Sequence, residues 1–182
     1  MYNREYEKFH SQLELPFLET KRKYLLDIFK TLENQFGLKK YSKQILIDLG
    51  SGNGQVVIFS ALNYGIKSVG IEIDPVQIRE AKNTIKSLKR GITQKKRNLR
   101  KIKIIHGNFY TLSLKKCDFI YIYSLPTMQK YLKHVFKTAK NGALIISHMY
   151  PLRGFSICLE FMLRLEHEDE NNDNATYFYN KK

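Results

Sequence analysis

The segment Gln44-Ile-Leu-Ile-Asp48-Leu-Gly50-Ser-Gly52-Asn-Gly54-Gln55 constrains this chain more than any other. Ile45, Leu46 and Ile47 form a short apolar run rich in β-branched residues, which predicts a buried strand. An acid follows, and then three glycines at alternate positions. Glycine has no Cβ, so it takes positive φ and lets backbone approach a ligand closely. From Val56 to Leu62 the chain resumes as an apolar helix. Strand, tight glycine turn and helix N-terminus together make a nucleotide cradle.

The rest of the chain repeats the alternation of strand and helix. Thr20 is expected to N-cap a helix to about Gln35, with Leu25, Phe29, Leu32 and Phe36 at helical spacing and Gly37 as the stop. A second strand, Ser68 to Ile71, ends in Glu72, 22 positions after Gly50. That is close to the roughly 20-residue offset at which a carboxylate reaches ribose hydroxyls. Asp74-Pro75 reads as N-cap and first helical position, and Ile78, Ala81, Ile85 and Leu88 line one face of a helix to about Arg90. Lys103 to Ile105 is a third strand, followed by His106-Gly-Asn108-Phe109. An amide and a ring at that place suit the edge and face of adenine. Cys117 to Tyr123 is a fourth strand, with a helix beyond it to about Ala139. Ala143 to Ser147 is a fifth, with His148, Met149 and Tyr150 at its carboxyl end. Ser156 to Leu165 and Ala175 to Asn180 read as a closing hairpin around the acidic segment 166–173. The class is α/β.

With these residues in view, the chain resembles the Rossmann-like, class I methyltransferases that use S-adenosylmethionine, over roughly residues 15–180. Within that group Asp48-Leu-Gly-Ser-Gly-Asn-Gly-Gln-Val-Val57 and Gly107-Asn-Phe109 are similar to the protein-lysine methyltransferases that lack a SET domain. These include the archaeal broad-specificity enzymes and the mitochondrial type that modifies carrier and ATP-synthase subunits. The resemblance implies a mostly parallel seven-stranded sheet, helices on both faces and a C-terminal antiparallel hairpin. It divides the chain into an N-terminal arm and lid helix, residues 1–36, and a cofactor-binding core, residues 37–182.

It also implies roles. Asp48 would position the loop and the methionyl amino group, while Gly50, Ser51, Gly52 and Gln55 would give close backbone approach. Glu72 would accept from the ribose hydroxyls, and Asn108 and Phe109 would hold adenine. Tyr123, Ser124 and His148 are the candidates at the transferred methyl. The lysine enzymes carry a Pro-Thr-Pro lid motif; here Phe17 and Thr20 match its aromatic and threonine, but Glu19 and Lys21 stand where its prolines would be. Leu125-Pro126-Thr127-Met128 is similar to the apolar-Pro-x-Met run of the mitochondrial type, and it departs from the Pro-Pro-aromatic run of base-amine methyltransferases.

Composition bears on partners. The 182 residues suit one domain, expected as a monomer. The net charge of +14 favours acidic partners, although a Lys-rich surface also serves solubility alone. Nine of the eighteen residues from Lys86 to Lys103 are Lys or Arg. This segment reads first as a solvated loop and second as an anion-binding patch for nucleic acid or a peripheral membrane contact. Cys117 and Cys158 are expected to be reduced and buried in strand-like surroundings, in a cytoplasmic setting. The histidines show no metal spacing, and neither a signal peptide nor a membrane-spanning run is expected. Three readings follow: a methyltransferase acting on protein lysine, one acting on RNA or DNA, and a non-enzymatic binding protein of the same fold.

Overall fold

A computed structural model of the chain describes residues 18–91, 95–168 and 174–182. Helix α1 (Arg22–Gln35) leads into β1 (Ile45–Leu49), α2 (Gln55–Tyr64), β2 (Lys67–Glu72) and α3 (Pro75–Gly91). Then come α4 (Lys96–Leu99), β3 (Ile102–His106), β4 (Phe119–Ile122), α5 (Pro126–Gln129) and α6 (Lys133–Lys137). Strands β5 (Leu144–His148), β6 (Leu159–Glu166) and β7 (Ala175–Lys181) complete the chain. The seven strands make one sheet in the order β3-β2-β1-β4-β5-β7-β6. The five strands β3, β2, β1, β4 and β5 run parallel, and β7 joins β5 antiparallel with β6 outside it.

Successive side chains on a strand point to opposite faces. In β1, Ile47 and Leu49 enter the layer that holds Leu132, Val135 and Phe136, while Leu46 enters the layer of α1 and α2. In β4, Ile120 and Ile122 join the first layer, Phe119 and Tyr121 the second. Strands β1, β2, β4 and β5 are therefore buried on both faces, which is why they read as apolar runs, while Lys103 and His106 on the edge strand β3 are exposed. The order reverses at β1, whose neighbours are β2 and β4, and a crevice at such a switch point is where open α/β sheets bind ligands.

Several local expectations are corrected. The N-cap of α1 is Lys21, without a side-chain cap bond; the Thr20 hydroxyl is engaged instead with the Tyr121 hydroxyl, 101 positions away. The single helix expected beyond β4 to about Ala139 is broken into α5, a 3₁₀ turn (Lys130–Leu132) and α6. The basic segment is not one solvated loop. Helix α3 runs to Gly91, and α4 anchors the far side by burying Leu99 completely and Asn98 nearly so. One apolar residue at the end of a four-residue helix holds a stretch that its charge alone would leave in water. Strand β6 starts at Leu159, three residues late, and a register shift lies between Phe161 and Leu163. Both cysteines are free and buried, but each lies in the turn ahead of a strand rather than within it. Segment 1–17, which includes the proposed arm and Phe17, lies outside the described residues, as does the tip 169–173 of the acidic hairpin loop.

Phe178 is fully buried and stacks on Phe36 at 5.2 Å, joining β7 to the end of α1. Phe178→Ala is expected to lose about 3–5 kcal/mol in chemical denaturation. Phe161→Ala, at a half-exposed ring on the edge strand, should stay within about 0.5 kcal/mol.

Candidate active site

The carboxyl ends of β1, β2 and β4 meet above the switch point, and the glycine loop crosses them. Gly50, Gly52 and Gly54 all have positive φ, at 82°, 49° and 81°. These are left-handed conformations that residues with a Cβ rarely adopt. At Gly54 a Cβ would also stand 3.1 Å from Ala81, so glycine lets α2 start against α3. The loop spends its own donors. Gly50 and Ser51 N–H both donate to the Ile71 carbonyl at 2.9 Å, Gly54 N–H to the Ser51 carbonyl at 2.8 Å, and Gly52 N–H to Glu72 Oε2 at 2.7 Å. A phosphate cradle needs such N–H groups free to face the anion. Here they are consumed, so the loop fits a ligand that approaches by shape and by contact with carboxylates, not a polyphosphate.

Glu72 is 8% exposed. Besides Gly52 it accepts from the Ile73 N–H at 2.7 Å and the Asp74 N–H at 2.9 Å, both at Oε1. Asp48 contrasts with it. Its carboxyl is buried, and it has no hydrogen-bond partner among the described residues. Burial, and then the nearby Glu72 charge, raise its pKa well above the ordinary value. Asn108 caps the 3₁₀ turn Phe109–Thr111 by accepting from the Tyr110 N–H at 2.9 Å. The Phe109 ring lies over Gly50, 3.7 Å from where a Cβ would project, and is half-buried against Tyr110.

Two ties bring the N-terminal segment onto this loop. Asn53 Nδ2 donates to Glu19 Oε1, and the Thr20 and Tyr121 hydroxyls bond at 2.7 Å. Beyond β4, Tyr123 is half-buried, while the Ser124 hydroxyl is buried without a hydrogen-bond partner. His148, 2% exposed, sets its ring edge-on to Tyr123 with centroids 5.0 Å apart, and Tyr150 lies 6.5 Å from Tyr123. Burial, reinforced by His167, pushes His148 down to about 3, so its imidazole is neutral at physiological pH. Met149, with a φ of 68°, turns the chain sharply after β5, and its N–H donates to the Ala175 carbonyl.

The arrangement thus gathers Thr20, Asp48, Gly50, Ser51, Gly52, Gln55, Glu72, Asn108, Phe109, Tyr123, Ser124 and His148 around one sheet edge, while Phe17 is outside the described residues. The Ser51 side chain is turned away over β2, where only the missing Cβ of Gly70 leaves it room. Sequence reasoning passed over Tyr24, Tyr121, His167 and Thr176, which pack around or bond to His148 or Thr20. Their spacing reads only as core of a helix or strand, so no local signal separated them.

The profile of the ANTKMT methyltransferase domain family matches residues 48–158. The chain belongs to that family. A protein-lysine N-methyltransferase of Saccharolobus islandicus is 28% identical over 153 residues, covering 82% of this chain and 88% of the relative. Among solved structures, an RNA methyltransferase from Salinibacter ruber in complex with S-adenosyl-L-homocysteine aligns with a TM-score of 0.72 at 20% identity, covering 90% of this chain and 94% of the other. A tRNA methyltransferase of B. subtilis aligns at 0.67 with 13% identity, covering 91% of this chain and 68% of the other. At those identities the structures share the fold. The chain is accordingly a methyltransferase of the Rossmann-like class, and its cofactor is S-adenosylmethionine.

The family's site suits that cofactor on three observations. A buried carboxyl without a partner, Asp48, awaits a cationic group. The unpartnered buried Oε1 of Gln55 and Oγ of Ser124 await polar neighbours. The N–H groups of Gly50, Ser51, Gly52 and Gly54 are already satisfied, which suits a ligand without phosphates. Among the described residues no helix is long and apolar enough to cross a membrane, and no cluster of three or more His, Cys, Asp or Glu could hold a metal ion.

Asp48 makes a prediction with a definite sign. Its native carboxyl keeps a proton to higher pH than the unfolded one, so the native state loses stability as pH rises past the ordinary value of 3.8. Asp48→Asn should therefore stabilise the cofactor-free protein at pH 7.5 by about 1 kcal/mol. Thermal denaturation should show that gain shrinking toward pH 4.

Proposed function

We propose that this methyltransferase acts on the side-chain amine of lysine in a protein substrate. The observation that carries the reading is the chemistry at the end of β4. There the Tyr123 ring stands edge-on to a neutral His148 and 6.5 Å from Tyr150, and the apolar Leu125 and Pro126 follow it in the chain. The kinship with a named protein-lysine N-methyltransferase supports the same acceptor.

S-adenosylmethionine supplies an electrophilic methyl on a sulfonium. The chain's own residues do the rest. Asp48 receives the methionyl ammonium, and Gly50, Ser51, Gly52 and Gln55 give close approach. Glu72 takes the ribose hydroxyls with the lone pairs its backbone donors leave. Asn108 and Phe109 hold adenine. Thr20, held by Tyr121, belongs to the strap over the cofactor. A lysine attacks only as the free amine, yet its ordinary pKa is about 10.4. An apolar, aromatic channel made by Tyr123, Leu125, Pro126 and Tyr150 disfavours the ammonium and lowers that value. Ser124 flanks the incoming nitrogen, and His148 is the neutral base within reach of the same strand end.

A second reading, methylation of RNA, rests on the exposed cations Lys95, Lys96, Arg97 and Arg100 on and beside α4, within a chain of net charge +14. Incubation with methyl-labelled cofactor and either cell protein or purified RNA separates the two. Label recovered as methyl-lysine after acid hydrolysis is the expected result, and label confined to RNA overturns the lysine assignment. By calorimetry, Glu72→Ala should weaken cofactor affinity at least about tenfold. Glu72→Gln, which still accepts the Gly52 N–H, should lose less; unchanged affinity in Glu72→Ala would remove this residue from the site.

A further inference from the structure

Behind His148 lies a chain of polar groups that leads away from the site. His148 Nδ1 is 2.8 Å from Thr176 Oγ1. The same oxygen is 2.8 Å from His167 Nε2. His167 Nδ1 stands 3.9 Å from Asp27 Oδ2, and the Asp27 side chain is half-exposed. Thr176 is completely buried, and both histidines nearly so. His148 Nε2, the remaining ring nitrogen, has no hydrogen-bond partner among the described residues.

We propose that His148, Thr176, His167 and Asp27 form a proton relay that carries the acceptor's proton from the site to the surface. A hydroxyl has one proton to donate and two lone pairs, so at most one of the two imidazole nitrogens accepts from Thr176 Oγ1 and at least one ring donates to it. The relay uses the arrangement in which one ring donates and the other accepts, which ties the tautomers of His148 and His167 together. With His148 protonated at Nδ1, the Thr176 hydroxyl donates to His167 Nε2, and His167 carries its proton at Nδ1. When an acceptor ammonium gives a proton to His148 Nε2, the Nδ1 proton passes to Thr176 Oγ1. The hydroxyl proton passes to His167 Nε2, and the His167 Nδ1 proton leaves toward the Asp27 carboxylate. One proton enters and one departs. Both rings are neutral before and after, so no buried charge persists, and the acceptor is left as the free amine. The 3.9 Å gap exceeds a direct hydrogen bond, and His167 Nδ1 is buried without a hydrogen-bond partner among the described residues, so the relay requires the half-exposed Asp27 side chain to turn toward it.

The surroundings keep both rings neutral. The ionisable groups around His148 are Tyr24 of α1, Tyr121 and Tyr123 of β4, and His167. Around His167 they are Asp27, Lys23 and Tyr24 of α1 and His148. Burial lowers the pKa of His167 as it does that of His148, although Asp27 opposes this. Asp27 is the one carboxylate among these groups, and it stands at the outer end.

The relay rests on the lysine reading, and Thr176→Val tests it. Valine keeps the shape and deletes the shared hydroxyl. With an unfractionated protein extract as acceptor, the initial rate of methyl-lysine formation at pH 7 should fall about 10- to 100-fold. The deficit should close toward pH 10, where bulk water deprotonates the lysine. Affinity for S-adenosylmethionine by calorimetry should be unchanged, and Thr176→Ser should restore the rate. Nitrogen NMR of the cofactor-free protein should find both imidazoles neutral, with the tautomers of both rings altered together in Thr176→Val. His167→Phe, which cuts the chain farther from the site, should reproduce the pH-dependent loss if the valine variant folds poorly. A native rate in both variants overturns the relay, and so does a loss that is equal at every pH and not rescued by serine. If the native protein itself forms no methyl-lysine, the lysine reading has failed, and the relay with it.

Discussion

The Glu72 carboxylate is the joint on which the site depends. Three backbone N–H groups, those of Gly52, Ile73 and Asp74, converge on its two oxygens. One belongs to the loop after β1 and two to the turn after β2, so a single side chain sets the distance between the two strand ends. Hydrogen bonds to a charged acceptor are about twice as strong as neutral ones. The three glycines supply the conformations the loop needs, but positive φ only permits a shape. The carboxylate selects one, and the Ile71 carbonyl, holding Gly50 and Ser51 together, fixes the other side. From there the start of α2 is determined, and with it the packing of α2 on α3 across Gly54 and Ala81.

The N-terminal segment is bound into the same joint. Glu19 reaches Asn53 inside the glycine loop, and Thr20 reaches Tyr121 at the end of β4. Helix α1 then lays Tyr24, Leu25, Ile28, Phe29 and Leu32 on the layer that contains Leu46, Tyr121, Ile146 and Phe178. The face of α1 that closes the core is thus continuous with the strap that crosses the loop. A change in the strap alters the site without touching the glycines.

Much of this was legible because the relevant signals are local. The run Ile45–Ile47 with alternating glycines, the Glu72 offset and the Asp74-Pro75 start each need only a few neighbouring residues. The mostly parallel seven-stranded sheet with its antiparallel hairpin followed from resemblance, and the pairing of β5 and β6 with β7 agrees with it. What was missed depends on partners far away in the chain. Thr20 looks like a cap until Tyr121 is folded against it. The stretch around Leu99 looks like solvated loop because one buried leucine among lysines carries no periodicity. The helix after β4 has apolar residues at suitable spacing, yet it breaks at Lys130–Leu132, and nothing in its composition marks the break. Tyr24, His167 and Thr176 sit at ordinary core positions of a helix, a strand end and a strand. Only the fold brings them to His148.

The same site holds several exceptions to otherwise consistent packing. Among the described residues the buried Asp48 carboxyl has no hydrogen-bond partner, and Gln55 and Ser124 bury polar atoms without one. Met149 adopts a backbone conformation that a residue with a Cβ rarely takes. Each feature opposes folding: an unmatched buried polar group costs about 1–3 kcal/mol, and an unusual backbone conformation a similar amount. A sheet buried on both faces by Ile, Leu, Val and Phe tolerates such losses, because each fully buried aliphatic side chain contributes about 1.5–3 kcal/mol. A cofactor that satisfies Asp48, Gln55 and Ser124 binds the native state alone, so it returns as binding free energy what the empty site withholds from stability. The departures are not confined there: among the described residues Gln77 Oε1 on α3 and His167 Nδ1 just after β6 are also buried without a partner, and Tyr41 has a positive φ of 60°.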